Sequence, residues 1–224
     1  MLSFRFTNLE PLGDQAVLAT LPSASEALRF ANAARTLPPP WQVDTVLAYA
    51  AVAVFFDPRH IDYEQAAARL RSLRPGFQAL AVREVIIPCC YERGPDLVDA
   101  ARALGLRPDR LMALHAGTRY AVYAIGFCPG FPYLGYLPPE LCGLPRRAEP
   151  RVRVEAGSVG ITGRQTAVYP LNTPGGWALV GQTPLELVNV ADGYFPLRVG
   201  DSVRFRRIDA AEFNRLRGQR LPPR

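Results

Sequence analysis

From residue 119 onwards the chain is a series of short apolar runs, rich in β-branched and aromatic residues and separated by glycine and proline. This spacing is typical of an all-β barrel or sandwich, because each run suits one strand and is too short for a core helix. The predicted strands are residues 120–127, 158–161, 166–169, 177–180, 185–189 and 202–207. A terminal helix is predicted at Ala210–Leu216.

The first ninety residues have a different pattern, in which strands and helices alternate. We predict strands at residues 4–7, 16–21, 42–56 (two strands) and 82–87, with helices at 25–37 and 62–73 that end near prolines. This β-α-β-β-α-β order suggests a ferredoxin-like α+β unit. A predicted helical pair, 95–104 and 108–114, follows it. The sequence therefore predicts three parts: residues 1–90, a helical connector 91–118, and a β domain 119–224.

The basic residues exclude several functions. The chain has a net charge of +6, and all 26 of its basic residues are arginine. Without lysine it has no P-loop lysine, no Schiff base and no biotinyl-lysine, so anions must be bound by guanidinium groups, backbone N–H groups or a metal ion. The arginines are scattered among 20 acidic residues. We therefore expect no nucleic-acid partner.

The cysteines and histidines do not form a metal-binding pattern. The four cysteines include the adjacent pair Cys89 and Cys90, and the two histidines are His60 and His115. No CxxC pair exists, so we expect no metal site and free thiols. The longest apolar run, residues 46–56, is too short to span a bilayer, and no signal peptide is visible. We expect a cytoplasmic protein without a membrane partner.

Two consecutive segments look suited to ligand binding. The stretch IGFCPGFPYLG (residues 125–135) has two prolines, three glycines and three aromatic residues, which makes a stiff loop whose backbone can approach a ligand closely. The stretch PRRAEPRVR (residues 145–153) has four arginines between prolines and is able to hold a carboxylate or phosphate. The alternatives are a barrel corner capped by aromatic residues and a solvated arginine loop.

The order of the motifs GFCPGFPYLG, PRRAEPR, AGSVGI, QTAVYP, NTPGGW and VGQTP resembles the KipI family. That family includes the B subunit of 5-oxoprolinase, allophanate hydrolase subunit 1 and part of the carboxyltransferase domain of urea carboxylase. The resemblance implies a ferredoxin-like N-terminal domain followed by a cyclophilin-like β-barrel. It also implies an ATP-dependent 5-oxoprolinase complex with the A and C subunits of that enzyme, which uses ATP with Mg²⁺ and has no cofactor covalently attached to this chain.

The candidate site residues follow from these motifs. His115 ends a predicted helix, where it is either a general acid–base or a structural residue favoured by the helix dipole. Arg147 and Arg151 are the candidates for anion binding. The other candidates for binding substrate or nucleotide are Gly126, Phe127, Gly130, Tyr133, Ser158, Gln165, Tyr169, Gly175, Gly176 and Trp177. Cys128 is more readily explained as a buried thiol than as a nucleophile.

Three functions remain open at this point. The first is the B subunit of a 5-oxoprolinase, a hydrolase that cleaves 5-oxo-L-proline to L-glutamate, with this chain active only beside its partners. The second is a KipI-type inhibitor of a sensor histidine kinase. The third is part of a biotin-linked carboxyltransferase acting on urea or a related amide, which needs a separate biotin carrier because this chain has no lysine.

Overall fold

The computed structural model describes residues 3–37, 40–74 and 83–222. The chain divides into two compact units, Met1–Ala81 and Val82–Arg224. The predicted boundary at residue 90 therefore lies inside the second unit. In the part of the chain that is described, no helix has the length and apolar character needed to cross a membrane.

Among the described residues of the first unit, two helices begin at capped N-termini. Helix α1 (Ala24–Arg35) follows Ser23, whose hydroxyl accepts the N–H of Glu26 at 3.2 Å. Helix α2 (Tyr63–Ser72) follows Asp62, which forms a reciprocal capping box with Gln65. Side-chain acceptors satisfy N–H groups that have no partner within the helix, which explains why both helices begin where the sequence predicts to within two residues.

The sheet of the first unit is antiparallel, and its strand order is β1-β2-β4-β3. The strands are β1 (Asn8–Pro11), β2 (Ala16–Thr20), β3 (Gln42–Ala48) and β4 (Ala51–Phe56). The predicted strand at residues 4–7 is wrong, because Phe4 and Phe6 instead pack edge-on against Phe30 of α1. The position beside β2 is occupied by β1, which precedes it, and the ferredoxin-like order is therefore not confirmed.

The second unit contains a seven-stranded sheet in the order β12-β9-β10-β7-β6-β13-β5. Its strands are β5 (Glu84–Cys89), β6 (Arg119–Ile125), β7 (Pro132–Gly135), β9 (Ser158–Thr162), β10 (Gln165–Val168), β12 (Ala178–Gln182) and β13 (Ser202–Arg207). Cys90, which follows β5, exchanges two backbone hydrogen bonds with Gln182 at the end of β12. The two edges of the sheet thus meet, which makes a nearly closed barrel.

The pairing of strand β5 differs from the predicted division of the chain. The sequence assigns residues 82–87 to the N-terminal unit, but β5 pairs in parallel with β13 in the second unit. The predicted connector also belongs to this unit, where helix α3 (Leu97–Ala103) contacts β12 and helix α4 (Pro108–Gly117) contacts β13. Short 3-10 turns at Tyr91–Arg93 and Pro139–Leu141 complete this layer.

A two-stranded ribbon stands apart from the main sheet. It pairs β8 (Arg151–Val154) with β11 (Thr173–Gly175). Val152 on this ribbon is 89% exposed. The predicted strand at residues 185–189 is wrong, because only isolated bridges form there, from Glu186 to Arg220 and from Asn189 to Tyr194. Helix α5 (Ala210–Leu216) begins at Asp209, whose carboxylate accepts the N–H of Glu212 at 2.7 Å.

Candidate functional site

The arginine-rich segment, residues 145–153, and the β8–β11 ribbon meet at Asp96, the residue before α3. Arg151, the first residue of β8, donates from Nη2 to Asp96 Oδ1 at 2.6 Å. Nη1 of Arg147 lies 3.7 Å from the same oxygen, and the backbone N–H of Arg147 donates to the carbonyl of Gly176 at 2.7 Å. The structure therefore brings the two predicted anion-binding arginines to one carboxylate.

The predicted aromatic residues form one cluster around Phe131. The ring centroid of Phe131 lies 5.0 Å from that of Tyr133, 5.2 Å from Tyr169 and 5.8 Å from Trp177. Phe127 contacts the same ring at 5.3 Å and is 62% exposed, with a positive φ of 69°. A left-handed backbone at an exposed phenylalanine is uncommon. The cluster is apolar within and partly open to solvent at Tyr133 and Phe127.

Glycines join the aromatic cluster to the ribbon. Gly175 is opposite Arg151 in the β8–β11 pair, and a Cβ atom on Gly175 would lie 2.5 Å from the Tyr169 hydroxyl oxygen. Only glycine fits this approach, so the phenol of Tyr169 lies against the ribbon backbone. Leu179, a member of the aromatic cluster, donates its N–H to Asp96 Oδ2 at 2.7 Å. We call this group of residues the arginine–tyrosine face. It consists of Asp96, Arg147, Arg151, Gly175, Gly176, Leu179 and the aromatic cluster around Phe131.

The electrostatics of the arginine–tyrosine face favour an anion. Burial raises the pKa of both Tyr133 and Tyr169, and the guanidinium group of Arg146 acts against that rise at both phenols. The two hydroxyl groups therefore stay protonated at neutral pH and are able to donate hydrogen bonds. The segment has guanidinium groups at residues 146, 147 and 151, of which the last two meet Asp96, and one further carboxylate, Glu149, which leaves a positive excess.

Other predicted residues lie elsewhere in the barrel. Ser158 is buried on β9, and its carbonyl accepts the N–H of Tyr169, which keeps it next to the cluster. Gln165 begins β10 and pairs with Gly135 and Thr162, at the opposite end of that strand from Tyr169. The structure does not bring Gln165 to the arginine–tyrosine face. Gly126 and Gly130 belong to the β6–β7 loop, where Gly130 closely approaches Val188.

His115 is fully buried in the core of the second unit. Thr166 donates its only hydroxyl hydrogen to the carbonyl of Gly160 at 3.0 Å, so its oxygen accepts Nε2–H of His115 at 2.9 Å. Nδ1 of His115 then accepts the Tyr91 hydroxyl at 2.7 Å. Burial lowers the His115 pKa from 6.5 to about 3, so the ring is neutral at pH 7.

This environment favours the structural interpretation of His115. A general acid or base must reach a proton of the substrate, whereas no part of His115 is exposed. Its ring also stacks on Phe205, with centroids 4.6 Å apart. The catalytic role predicted from sequence therefore has no support in the geometry, and the residues that surround His115 were not predicted.

The cysteines give a testable result of their own. Cys89, Cys90, Cys128 and Cys142 are all free, and the first two are buried. Burial raises the pKa of Cys89, Cys90 and Cys128, which lowers their reactivity as nucleophiles. We expect a thiol reagent, without reductant, to titrate four groups after unfolding and at most two rapidly in the native chain. An intramolecular disulfide in freshly purified protein would contradict this expectation.

Comparisons with known proteins identify the family of the chain. The model of the carboxyltransferase domain, subdomain C and D, matches residues 7–194. The chain belongs to this family. The predicted resemblance is therefore confirmed at the level of the family. Among the described residues, no group of three or more histidine, cysteine, aspartate or glutamate side chains is arranged to hold a metal ion.

Several relatives carry one name, the B subunit of 5-oxoprolinase. The chain is 54% identical over 126 residues to the protein of that name from Escherichia coli O157:H7, an alignment covering 55% of this chain and 57% of that protein. It is 39% identical over 207 residues to the one from Haemophilus influenzae, covering 88% of this chain and 96% of that protein. The crystal structure of TTHA0988 matches with a TM-score of 0.77 and 36% identity, over 88% of this chain and 40% of that chain. The chain thus spans little more than half of the Escherichia coli relative and less than half of TTHA0988.

Proposed function

We propose that this chain is the B subunit of an ATP-dependent 5-oxoprolinase, which cleaves 5-oxo-L-proline to L-glutamate. The observation that carries the proposal is the similarity to the Haemophilus influenzae protein across nearly the whole length of both chains. The arginine–tyrosine face agrees with it chemically. The substrate has a carboxylate for guanidinium groups to bind and a lactam carbonyl for phenolic hydroxyl groups to contact.

The proposed reaction needs ATP because a lactam is resonance-stabilised. Transfer of the γ-phosphoryl group to the lactam oxygen forms an O–P bond and releases ADP. Water then attacks the activated carbon and the ring C–N bond breaks, which leaves an acyl phosphate and the free amino group. A second water hydrolyses the acyl phosphate to the carboxylate of glutamate and phosphate. ATP with Mg²⁺ enters this scheme as a property of the assembled complex, since this chain has no lysine for a P-loop.

The proposal includes partners and a location. The A and C subunits of 5-oxoprolinase would complete the active site, with the arginine–tyrosine face of this chain as one part of it. The free thiols of the chain are consistent with the reducing cytoplasm. The second unit is further proposed to be a cyclophilin-like barrel. For the first unit, a ferredoxin-like assignment would require that β1, at the edge beside β2, replaces the last strand of the β-α-β-β-α-β order.

The experiment is ATP hydrolysis by the chain alone and by the complex co-expressed with the A and C subunits. We expect ATP hydrolysis that depends on 5-oxo-L-proline, with glutamate formed in equal amount, from the complex only. The chain should also elute with the C subunit as a stable heteromer, which requires at least about 1,200 Å² of buried surface. Full activity of the isolated chain would contradict the need for partners, and an inactive complex would contradict the function.

A second candidate rests on the family model, which is named for a carboxyltransferase domain. In that case the chain would act on a carboxylated biotin carried by another protein and on urea or a related amide. The same complex distinguishes the two, because a carboxyltransferase would need biotin carrier protein and bicarbonate for turnover. Activity with 5-oxo-L-proline and ATP alone, in the absence of both, excludes this candidate.

A further inference from the structure

Asp96 is the residue on which the arginine–tyrosine face converges. One oxygen, Oδ1, accepts Arg151 Nη2 at 2.6 Å, and the other, Oδ2, accepts the N–H of Leu179 at 2.7 Å. Its backbone N–H donates to the carbonyl of Leu179 at 2.9 Å. The side chain is only 15% exposed. Asp96 thus joins three parts of the unit: the start of α3, strand β12 and the ribbon.

The backbone around Asp96 is closely fitted to β12. A Cβ atom on Gly94 would lie 2.1 Å from the carbonyl carbon of Val180 and 2.5 Å from the nitrogen of Gly181. These are backbone atoms, so a change of side-chain rotamer cannot relieve the clash. The carboxylate of Asp96 is therefore presented to the arginines from a fixed backbone, which is the geometry expected of a group that orients another side chain.

The two arginines that meet Asp96 have different environments. The side chain of Arg151 is 24% exposed, Nη2 is bonded to Asp96, and Nη1 is buried without a hydrogen-bond partner among the described residues. The side chain of Arg147 is 47% exposed, and its Nη1 lies 3.7 Å from Asp96. A ligand arriving from solvent therefore meets Arg147, whereas Arg151 is enclosed by the protein.

We propose that Arg147 contacts the anionic group of the substrate and that Asp96 is its positioning residue, acting through the ion pair with Arg151. The Asp96–Arg151 bond fixes the ribbon to β12. The backbone bond from Arg147 to Gly176, the residue after β11, then holds the backbone of Arg147 against the ribbon. This proposal rests on the proposed function for the identity of the ligand, but its positioning step is independent of the ligand.

The kinetic test uses the assembled complex with 5-oxo-L-proline as the varied substrate. Arg147→Lys keeps the charge and loses the two-pronged guanidinium group, so KM should rise about tenfold with kcat nearly unchanged. Asp96→Asn should raise KM in the same way, because one amide cannot accept from both Arg151 and Leu179 without presenting its NH₂ group to a donor. A wild-type KM in the Arg147→Lys complex would overturn the assignment of the ligand contact.

A double-mutant cycle tests whether Asp96 acts through Arg151. If it does, Asp96→Asn combined with Arg151→Lys should raise KM no more than the more severe single variant. If Asp96 and Arg151 acted independently, the increase in KM in the double variant would instead be the product of the two single increases. The matched control is Arg153→Lys, a substitution on the same strand, where Arg153 pairs with Glu155 at 2.8 Å and is 64% exposed. This control should keep wild-type KM and kcat.

Limited proteolysis gives a readout that needs no substrate. Trypsin cleaves after arginine, and the segment contains such sites after Arg147 and Arg151. Asp96→Asn should speed cleavage at these sites at least about tenfold, because the ribbon opens locally once its ion pair is lost. Arg153→Lys should not. Unchanged cleavage in Asp96→Asn would overturn the positioning role, whereas an inactive wild-type complex with accelerated cleavage in this variant would overturn the proposed function alone.

Discussion

Replacing Gly94 with alanine should strongly destabilise the second unit, because the added methyl group has no room. The added Cβ atom would lie 2.1 Å from the carbonyl carbon and 2.3 Å from the carbonyl oxygen of Val180. Gly94 has a φ of −85°, which alanine adopts readily, so the cost is steric rather than conformational. Overpacking against side chains costs about 1–3 kcal/mol, and a backbone neighbour has less freedom to move.

We therefore expect Gly94→Ala to lower the free energy of unfolding by at least about 3 kcal/mol, equivalent to a fall in Tm of roughly 6–12 °C. The control is Gly117→Ala at the end of α4, where a Cβ atom would meet nothing within 4 Å. Alanine is the better helix former, so this variant should unfold at or slightly above the wild-type temperature. Thermal unfolding followed by circular dichroism measures both. A Gly94→Ala chain with wild-type Tm would show that Gly94 and β12 are not in close contact.

Loss of the His115 ring should have a second large effect on stability. His115→Ala removes a stacked, fully buried ring and leaves the Tyr91 hydroxyl without its acceptor, whereas Thr166 keeps its bond to Gly160. Cavity formation and the loss of these two hydrogen bonds together should cost about 3–5 kcal/mol. Glutamine is the matched variant, because its amide accepts at one end and donates at the other, like the neutral imidazole.

The burial of His115 also makes the stability of the chain depend on pH. Unfolded His115 binds a proton below its ordinary pKa of 6.5, whereas the folded residue does so only near a pKa of about 3. Unfolding therefore takes up a proton between these values, and the free energy of unfolding falls as the pH is lowered from 6.5 towards 3, by up to about 1.4 kcal/mol per pH unit. The neighbouring phenols, Tyr91 and Tyr120, have pKa values raised by burial and stay protonated throughout.

Denaturant titrations at pH 7 and pH 5 check this prediction. The wild-type chain should lose more stability between the two pH values than His115→Gln, which cannot titrate. Turnover separates a structural role from a catalytic one. If His115 is structural, a folded His115→Gln complex should retain activity close to that of the wild type, whereas a loss of roughly 10²–10⁴-fold without a loss of stability would establish general acid–base catalysis by His115.

Local features of the fold were predictable because they depend on nearby residues. Ser23 and Asp62 signal the starts of α1 and α2, and strand β13 has the predicted bounds Ser202–Arg207. The strand with which another strand pairs was not predictable in this way. Nothing in the apolar run around Val85 indicates that it pairs with β13 instead of with the strands that precede it, because periodicity reports burial and not pairing.

The site was predictable to a similar degree. The motifs placed Arg147, Arg151, Tyr133, Tyr169 and Trp177 in one region because turns and aromatic residues cluster there. They did not identify Asp96, whose contact with Arg151 joins segments far apart in sequence and follows only from the packing of α3 on β12. Arg146 was visible in the motif, but its proximity to two phenols was not.

The position of β13 has a consequence for the order in which the chain folds. This strand lies between β6 and β5, so β5 has no neighbour within the sheet until residues 202–207 have been synthesised. Bringing Glu84–Cys89 and Ser202–Arg207 together closes a very long loop, and long-range pairing of this kind is slow. The paired strands of the first unit all lie within Met1–Ala81. That unit is able to fold during synthesis, while the barrel must wait for nearly the whole chain.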